Sequence, residues 1–248
     1  MNKSYRAVDK TSIVPLYHQV KEYLKNQIGS NVYKVDEMIP SERELSEQFE
    51  INRLTVRQAI NELVQEGLLY RQRGVGTFVA MPKIEQPLTK LTNFSSDMHS
   101  RGLAPGAQVV SMEVIPASKP ISMQLQIPEG EQVIELVRVR TANGEPLALE
   151  RSYLVYELAH GLYEMNMENA SLYQMLEDIC GLKLVKALQT IEVSTARQDE
   201  AGILDIGQHD PVMLIERTTF TEGSNRPVEY VRSLYRGDRY KFSIEMKV

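Results

Sequence analysis

Apolar positions recur with two different periods along this chain, and the change falls near residue 80. Up to that point the spacing is helical. Leu16, Val20, Leu24 and Ile28, with Tyr23 beside Leu24, predict an amphipathic helix of about four turns, with Pro15 at its first position and Gly29 at its end. Ser41, followed three residues on by Glu44, is a capping box that opens a second helix. Leu45 and Phe49 form its buried face, with Glu42, Arg43 and Glu47 outside. Asn52 caps a third helix, in which Val56, Ile60, Leu63 and Val64 share one face. Leu68 to Arg71 and Thr77 to Val79 read as short strands. They are joined by Gln72-Arg73-Gly74-Val75-Gly76, whose glycines can close a tight hairpin.

The polar face of the third helix carries Arg57, Gln58 and Asn61, with Arg53 and Thr55 at its N-terminal end. Arg, Gln and Asn have the donor and acceptor geometry that fits base edges in a major groove. A helix that follows a short turn and exposes them near its start is how a recognition helix is used. The same stripe, taken alone, also fits a solvated helix face. A basic hairpin directly after the helix pair, carrying Arg71, Arg73 and Gly74, reads as a wing and favours DNA.

From Ala80 to Gln86 the apolar pattern lapses, with Pro82 and Pro87 near the margins, so a linker is expected over 81–90. Beyond it the period shifts towards two. Strands are expected at Val109–Ile115, Val133–Ala142, Leu147–Val155, Leu184–Ser194, Val212–Thr221, Val228–Tyr235 and Tyr240–Met246, with Asn143-Gly144 as a hairpin turn. Ser171 opens a helix that turns Leu172, Leu176 and Ile179 inward and stops at Gly181. Thr195 with Gln198 reads as the capping box of another, carrying Ile203 and Leu204. The expected class is α+β: a winged helix-turn-helix domain over 1–80, then a mainly antiparallel sheet domain over 91–248.

The net charge of −5 is unusual for a chain that meets DNA, but its distribution is uneven. Residues 1–80 hold 11 Lys and Arg against 10 Asp and Glu, and the rest holds 17 against 23. Arg53, Arg57, Arg71 and Arg73 cluster in the reading segment, and local clustering is what attracts phosphate. Cys180 is the only cysteine, which excludes a disulfide framework and a cysteine-rich zinc site and fits a reducing cytoplasm. The four histidines are scattered, and no metal or cofactor is expected. No apolar run is long enough for a membrane helix, and the N-terminus lacks the apolar core of a secretory signal.

Arg138 and Arg140 lie two apart on a predicted strand and therefore share a face, continuing a side begun by Ile134 and Leu136. Two adjacent guanidiniums repel each other unless an anion lies between them, and arginine matches phosphate or carboxylate with two parallel hydrogen bonds. Either a ligand supplies that anion or a neighbouring acid such as Glu150 does.

Residues 15–79, with the motifs PSERELSEQF, LTVRQAINELVQEGLL and RGVGTFV, resemble the winged-helix domain of the GntR family of bacterial transcription regulators. The resemblance implies operator contacts by Arg43, Arg53, Thr55, Arg57 and Gly74; Gln58, Asn61 and Arg73 join them from the helix and hairpin reading. It has one departure: Glu50 stands in the interhelical turn where the family usually has glycine. The segments LTNFSSDM, ELVRVRTANGEPLALERSYL, SLYQML, PVMLIERTTF and VEYVRSLYRGDRYKF resemble the effector-binding UTRA domain of the HutC subfamily, whose fold is similar to chorismate lyase. Within that subfamily the chain is most similar to the N-acetylglucosamine-utilisation repressors, which sense amino-sugar phosphates. This implies a phosphate held by Phe94, Ser95, Arg138, Arg140, Ser171 and Tyr173, with Glu150, Glu229 and Tyr235 on the sugar.

The expected function is thus a homodimeric, ligand-released repressor on a palindromic operator. Other possibilities are a repressor sensing another small anion, a second domain that only dimerises, and an enzyme acting on a sugar phosphate or chorismate-like acid. No Ser/His/Asp order or metal-ligand spacing favours the enzyme.

Overall fold

A computed structural model describes residues 8–81, 83–88, 93–223 and 226–246. The chain divides into two compact units, Met1–Lys83 and Ile84–Val248.

The first unit holds α1 (Leu16–Gly29), α2 (Glu42–Phe49) and α3 (Arg53–Gln65), then the hairpin of β1 (Leu69–Gln72) and β2 (Gly76–Val79). Its core is the set the helical period selects: Val20, Leu24, Leu45, Phe49, Val56, Ile60 and Leu63 are buried together, with Ala59, Leu69 and Val79. Pro15 differs from expectation. It is the residue before α1, with φ −55° and ψ 138°, so its fixed φ leads into the helix without belonging to it. The Ser41 and Glu44 box forms in both directions, Ser41 Oγ accepting from the Glu44 N–H and Glu44 accepting from the Ser41 N–H.

The second unit is built on a six-stranded antiparallel sheet. Its strands are β4 (Pro105–Pro116), β5 (Gln132–Ala142), β6 (Glu145–Val155), β7 (Leu184–Thr195), β8 (Pro211–Thr221) and β9 (Pro227–Arg236), in the spatial order β4-β5-β6-β9-β8-β7. Helices α4 (Phe94–Ser100), α5 (Lys119–Leu125), α6 (Tyr156–Ala159), α7 (Leu172–Cys180) and α8 (Gln198–Leu204) fill the connections. Asn143 and Gly144 both take positive φ, 50° and 85°, in the tight β5–β6 turn, a conformation that asparagine tolerates and that glycine, without a Cβ, adopts freely.

Four local expectations are corrected. The segment expected as linker contains a strand, β3 (Ile84–Pro87), which pairs in parallel with β10 (Tyr240–Ser243). That last strand ends before Met246. Thr195 does not cap a helix, because it remains paired with Pro211 on β8; α8 starts after Arg197, whose N–H is capped by Glu200. Ile203 is exposed while Leu204 is buried. Ile179, expected inside, lies against Gly161, which has no side chain to cover it, and remains 46% exposed.

Candidate functional site

Two groups of side chains carry chemistry, one in each unit. In the first, α2 runs into a tight turn at Glu50, which has φ 52° and ψ 46°, a left-handed conformation that glycine adopts at less cost. Asn52 then caps α3 by accepting from the Leu54 N–H at 2.8 Å, so α3 starts at a defined point. Arg53, Arg57, Gln58 and Asn61 are exposed along it, and Thr55 is half-buried in its first turn. Arg43 is exposed on α2 and pairs with Glu47 at 2.9 Å. At the hairpin tip Arg73 and Gly74 are exposed, Gly74 with φ 78°. At Gly76 a Cβ would lie 2.6 Å from the Met38 sulfur, so a side chain there would push the exposed Met38 thioether aside. The segment before α2 lies along this hairpin, with Ile39 N–H donating to the Thr77 carbonyl at 2.9 Å.

Glu42, expected outside, is the correction in this unit. Its side chain is 17% exposed and takes ion pairs from three arginines: Arg57 at 2.9 Å, Arg53 at 3.2 Å and Arg71 at 3.3 Å. The hydrogen bond from Arg57, followed by that from Arg53, holds its carboxyl below the usual range despite partial burial. Helix, helix and wing are thus drawn to one carboxylate. Helical spacing placed Glu42 away from the apolar core but could not show that three cations from other elements converge on it.

In the second unit, one face of the sheet opens into a cavity of about 380 Å³. All nine predicted effector residues line it: Phe94, Ser95, Arg138, Arg140, Glu150, Ser171, Tyr173, Glu229 and Tyr235. Period two places Arg138 and Arg140 inward from β5, where they are 2% and 4% exposed. Glu150 lies opposite Arg138 on β6, and its Oε2 is 3.3 Å from Arg138 and 3.5 Å from Arg140. Arg138 also donates to the Ala170 carbonyl at 3.1 Å, and Arg140 to Ser95 Oγ at 3.2 Å. The Phe94 ring lies under the Arg140 guanidinium, 4.4 Å away, so Phe94 presents its π face to that cation.

One carboxylate between two guanidiniums leaves an unbalanced positive charge. Arg138 Nε, Arg140 Nε and Ser171 Oγ are moreover buried without a hydrogen-bond partner among the described residues. A buried donor left in that condition costs about 1–3 kcal/mol, and the oxygens of an anion would supply the acceptors that all three lack. Ser171 precedes α7, and the first N–H groups of a helix lack internal partners and favour anions. Burial draws Arg138 down to about 10, against the pull of Glu150, so it remains charged at neutral pH.

Sequence profiles match in the same two parts. Residues 16–79 match the model of bacterial regulatory proteins of the gntR family, and residues 100–241 match the UTRA domain. The chain is 42% identical to the HTH-type transcriptional repressor NagR of Bacillus subtilis, over 95% of this chain and 96% of that protein. The chain belongs to the GntR family. Other relatives include the mannosyl-D-glycerate transport/metabolism system repressor MngR of Escherichia coli K12, 30% identical over 93% of this chain and 95% of that one. The crystal structure of PhnF from Mycobacterium smegmatis superposes with a TM-score of 0.68 at 33% identity, covering 92% of this chain and 99% of that one. This GntR chain is therefore a DNA-binding, effector-responsive transcription regulator and not an enzyme.

Around the predicted Glu229, Tyr173 and Tyr235 stand partners that sequence reasoning missed: Ser152, Thr219, Arg217 and Gln189. Glu229 on β9 accepts hydrogen bonds from Ser152 Oγ at 3.2 Å, Thr219 Oγ1 at 3.0 Å and Tyr173 OH at 3.0 Å. Burial pushes its carboxyl up, against the opposing effect of Arg217 and these donors. Burial likewise pushes the Tyr173 and Tyr235 phenols up. Arg217 on β8 donates to Gln189 Oε1 at 2.7 Å and to Tyr173 OH at 3.3 Å. A signal for Arg217 was present: it lies two residues after the inward Ile215 and so shares its face. The four histidines are exposed, and Cys180 is half-buried among apolar side chains, where burial pushes its thiol up. Among the described residues no helix is long and apolar enough to cross a membrane.

Proposed function

We propose that this chain is a cytoplasmic, homodimeric repressor of amino-sugar uptake and catabolism genes, released from a palindromic operator by an amino-sugar phosphate. Arg43, Arg53, Thr55, Arg57, Gln58, Asn61, Arg73 and Gly74 contact the operator. In the effector domain the phosphate takes Arg138, Arg140, Ser95, Ser171 and Tyr173, with Phe94 beneath Arg140, while the sugar hydroxyls and amino nitrogen meet Glu150, Glu229 and Tyr235. The observation that carries this reading is the convergence of three unpartnered donors, Arg138 Nε, Arg140 Nε and Ser171 Oγ, in one cavity. A sugar phosphate satisfies them and balances the charge that Glu150 leaves. The overall similarity to NagR supports the choice of ligand class.

Operator and effector oppose each other by linkage, so each weakens the other by the same factor. Two winged domains held by a symmetric dimer must match the half-site spacing, and the effector stabilises an arrangement that does not. Calorimetric titration of the full chain with N-acetylglucosamine 6-phosphate and glucosamine 6-phosphate tests the assignment. Saturable binding of one or both is expected. Heat from neither, with binding of a different anion such as urocanate, contradicts it.

A further inference from the structure

Arg217 lines the cavity and makes no direct ion pair among the described residues; Glu229 acts on it electrostatically and is linked to it through the Tyr173 hydroxyl. Its hydrogen bonds go to two neutral groups, the Gln189 amide oxygen and the Tyr173 hydroxyl. A guanidinium carries five N–H donors, and these two bonds leave three unused. Arg138 and Arg140, by contrast, share Glu150. The Arg217 end of the cavity also holds Glu229, so it is not a second bare cation, but Arg217 still has donors to offer.

The sheet register fixes how far apart Arg138 and Arg217 lie. Arg138 is opposite Glu150, Glu150 opposite Ser233, and Ser233 opposite Ile215, two residues before Arg217. Three strand spacings of about 4.8 Å and two residues of about 3.4 Å put the Arg138 and Arg217 Cα atoms on the order of 16 Å apart. Both long side chains enter the one cavity from these flanks. Beside Arg217 the wall is apolar: Val231 is its partner across the ladder, and Ile215 and Ala187 also line the cavity. Gln189 lies opposite Arg217 on β7, and with its oxygen engaged by Arg217 its amide N–H groups remain as further donors.

We propose that Arg217 and Gln189 form a subsite for the carbonyl oxygen of an N-acyl group, with the acyl methyl against Val231 and Ala187. Arg217 is then a specificity-determining residue that makes the chain prefer the acylated amino sugar to the free amine. This rests on the sugar-phosphate reading above. The free amine, protonated at neutral pH, has no acceptor to offer Arg217 and leaves its remaining donors unused.

The test is calorimetry on the full-length chain with N-acetylglucosamine 6-phosphate and glucosamine 6-phosphate, comparing wild type with Arg217→Met, Arg217→Lys and Arg138→Met. A charged hydrogen bond to a neutral acceptor changes affinity on the order of tenfold to a hundredfold. Wild type is expected to favour the acetylated ligand by that factor. Arg217→Met should lose the preference, weakening the acetylated ligand about tenfold or more beyond any loss that it shows for glucosamine 6-phosphate through Tyr173. Arg217→Lys, which keeps the charge without the fork, should lose part of the preference and keeps the test decisive if the methionine variant does not fold. Arg138→Met should weaken both ligands alike. Equal loss of both ligands in the Arg217 variants, or no loss, overturns the subsite while leaving the sugar-phosphate reading standing. Binding of neither ligand by wild type overturns both.

Discussion

Arg138 and Glu150 face each other across the β5–β6 ladder, with Nη2 and Oε2 3.3 Å apart, and Arg140 reaches the same oxygen. The pair is buried but not balanced, because one carboxylate serves two guanidiniums. Without a ligand this is an unfavourable arrangement; with a phosphate it becomes a satisfied one.

Arg138→Met removes one of the two cations without leaving Glu150 alone. Effector affinity should fall at least tenfold, since each charged hydrogen bond contributes about 1.5–3 kcal/mol. Ligand-free stability should fall by less than the 3–5 kcal/mol of a broken buried pair, because Arg140 still faces Glu150. Calorimetry and urea unfolding of the same variant check both.

Glu42→Gln should change DNA binding in a characteristic direction. It removes a negative charge from the reading surface and frees Arg53, Arg57 and Arg71. Affinity for a random duplex should rise, and its dependence on the logarithm of salt concentration should steepen by about one unit. Fluorescence anisotropy at several salt concentrations measures this, and an unchanged slope counts against Glu42 as the residue that restrains these arginines.

Glu50→Gly relieves the left-handed turn between α2 and α3. The side chain loses only an exposed pair with Lys10, which contributes little. The variant should be more stable by about 0.5–1 kcal/mol, read as a higher urea midpoint with an unchanged slope.

Glu229 sets a pH dependence. Its folded-state pKa is raised above the ordinary 4.5, so the folded protein holds this proton more tightly than the unfolded chain. The contribution to stability is fully present below 4.5 and is lost as pH rises through the raised value. Ligand-free stability should therefore carry a downward component with pH over that window. Glu229→Gln should remove that component, which denaturation at a series of pH values will show.

Much of this was legible in the sequence because it rests on local rules. The Ser41 and Glu44 box, the Asn143-Gly144 turn and the inward pair Arg138 and Arg140 each follow from spacing within a few residues. What escaped was set by distant partners. β3 was read as linker because its partner, β10, lies at the far end of the chain. Thr195 was read as a cap because only its pairing with Pro211 shows that it still belongs to a strand. Glu42 gains its role from residues on other elements, which no periodicity records; period two does place Arg217 on the face of Ile215, and only its partners Gln189 and Tyr173 stay hidden.

The central claim is that occupation of the arginine pair in the effector domain controls DNA binding by the winged domain. The most direct measurement is the anisotropy of a duplex that the full chain selects from a random pool, titrated with protein with and without saturating N-acetylglucosamine 6-phosphate. A coupling of 1–3 kcal/mol corresponds to roughly 5–150-fold, so DNA affinity should drop within that range for wild type and stay constant for Arg138→Met. Calorimetric saturation of wild type by this ligand, with no change in its DNA affinity, would contradict the account.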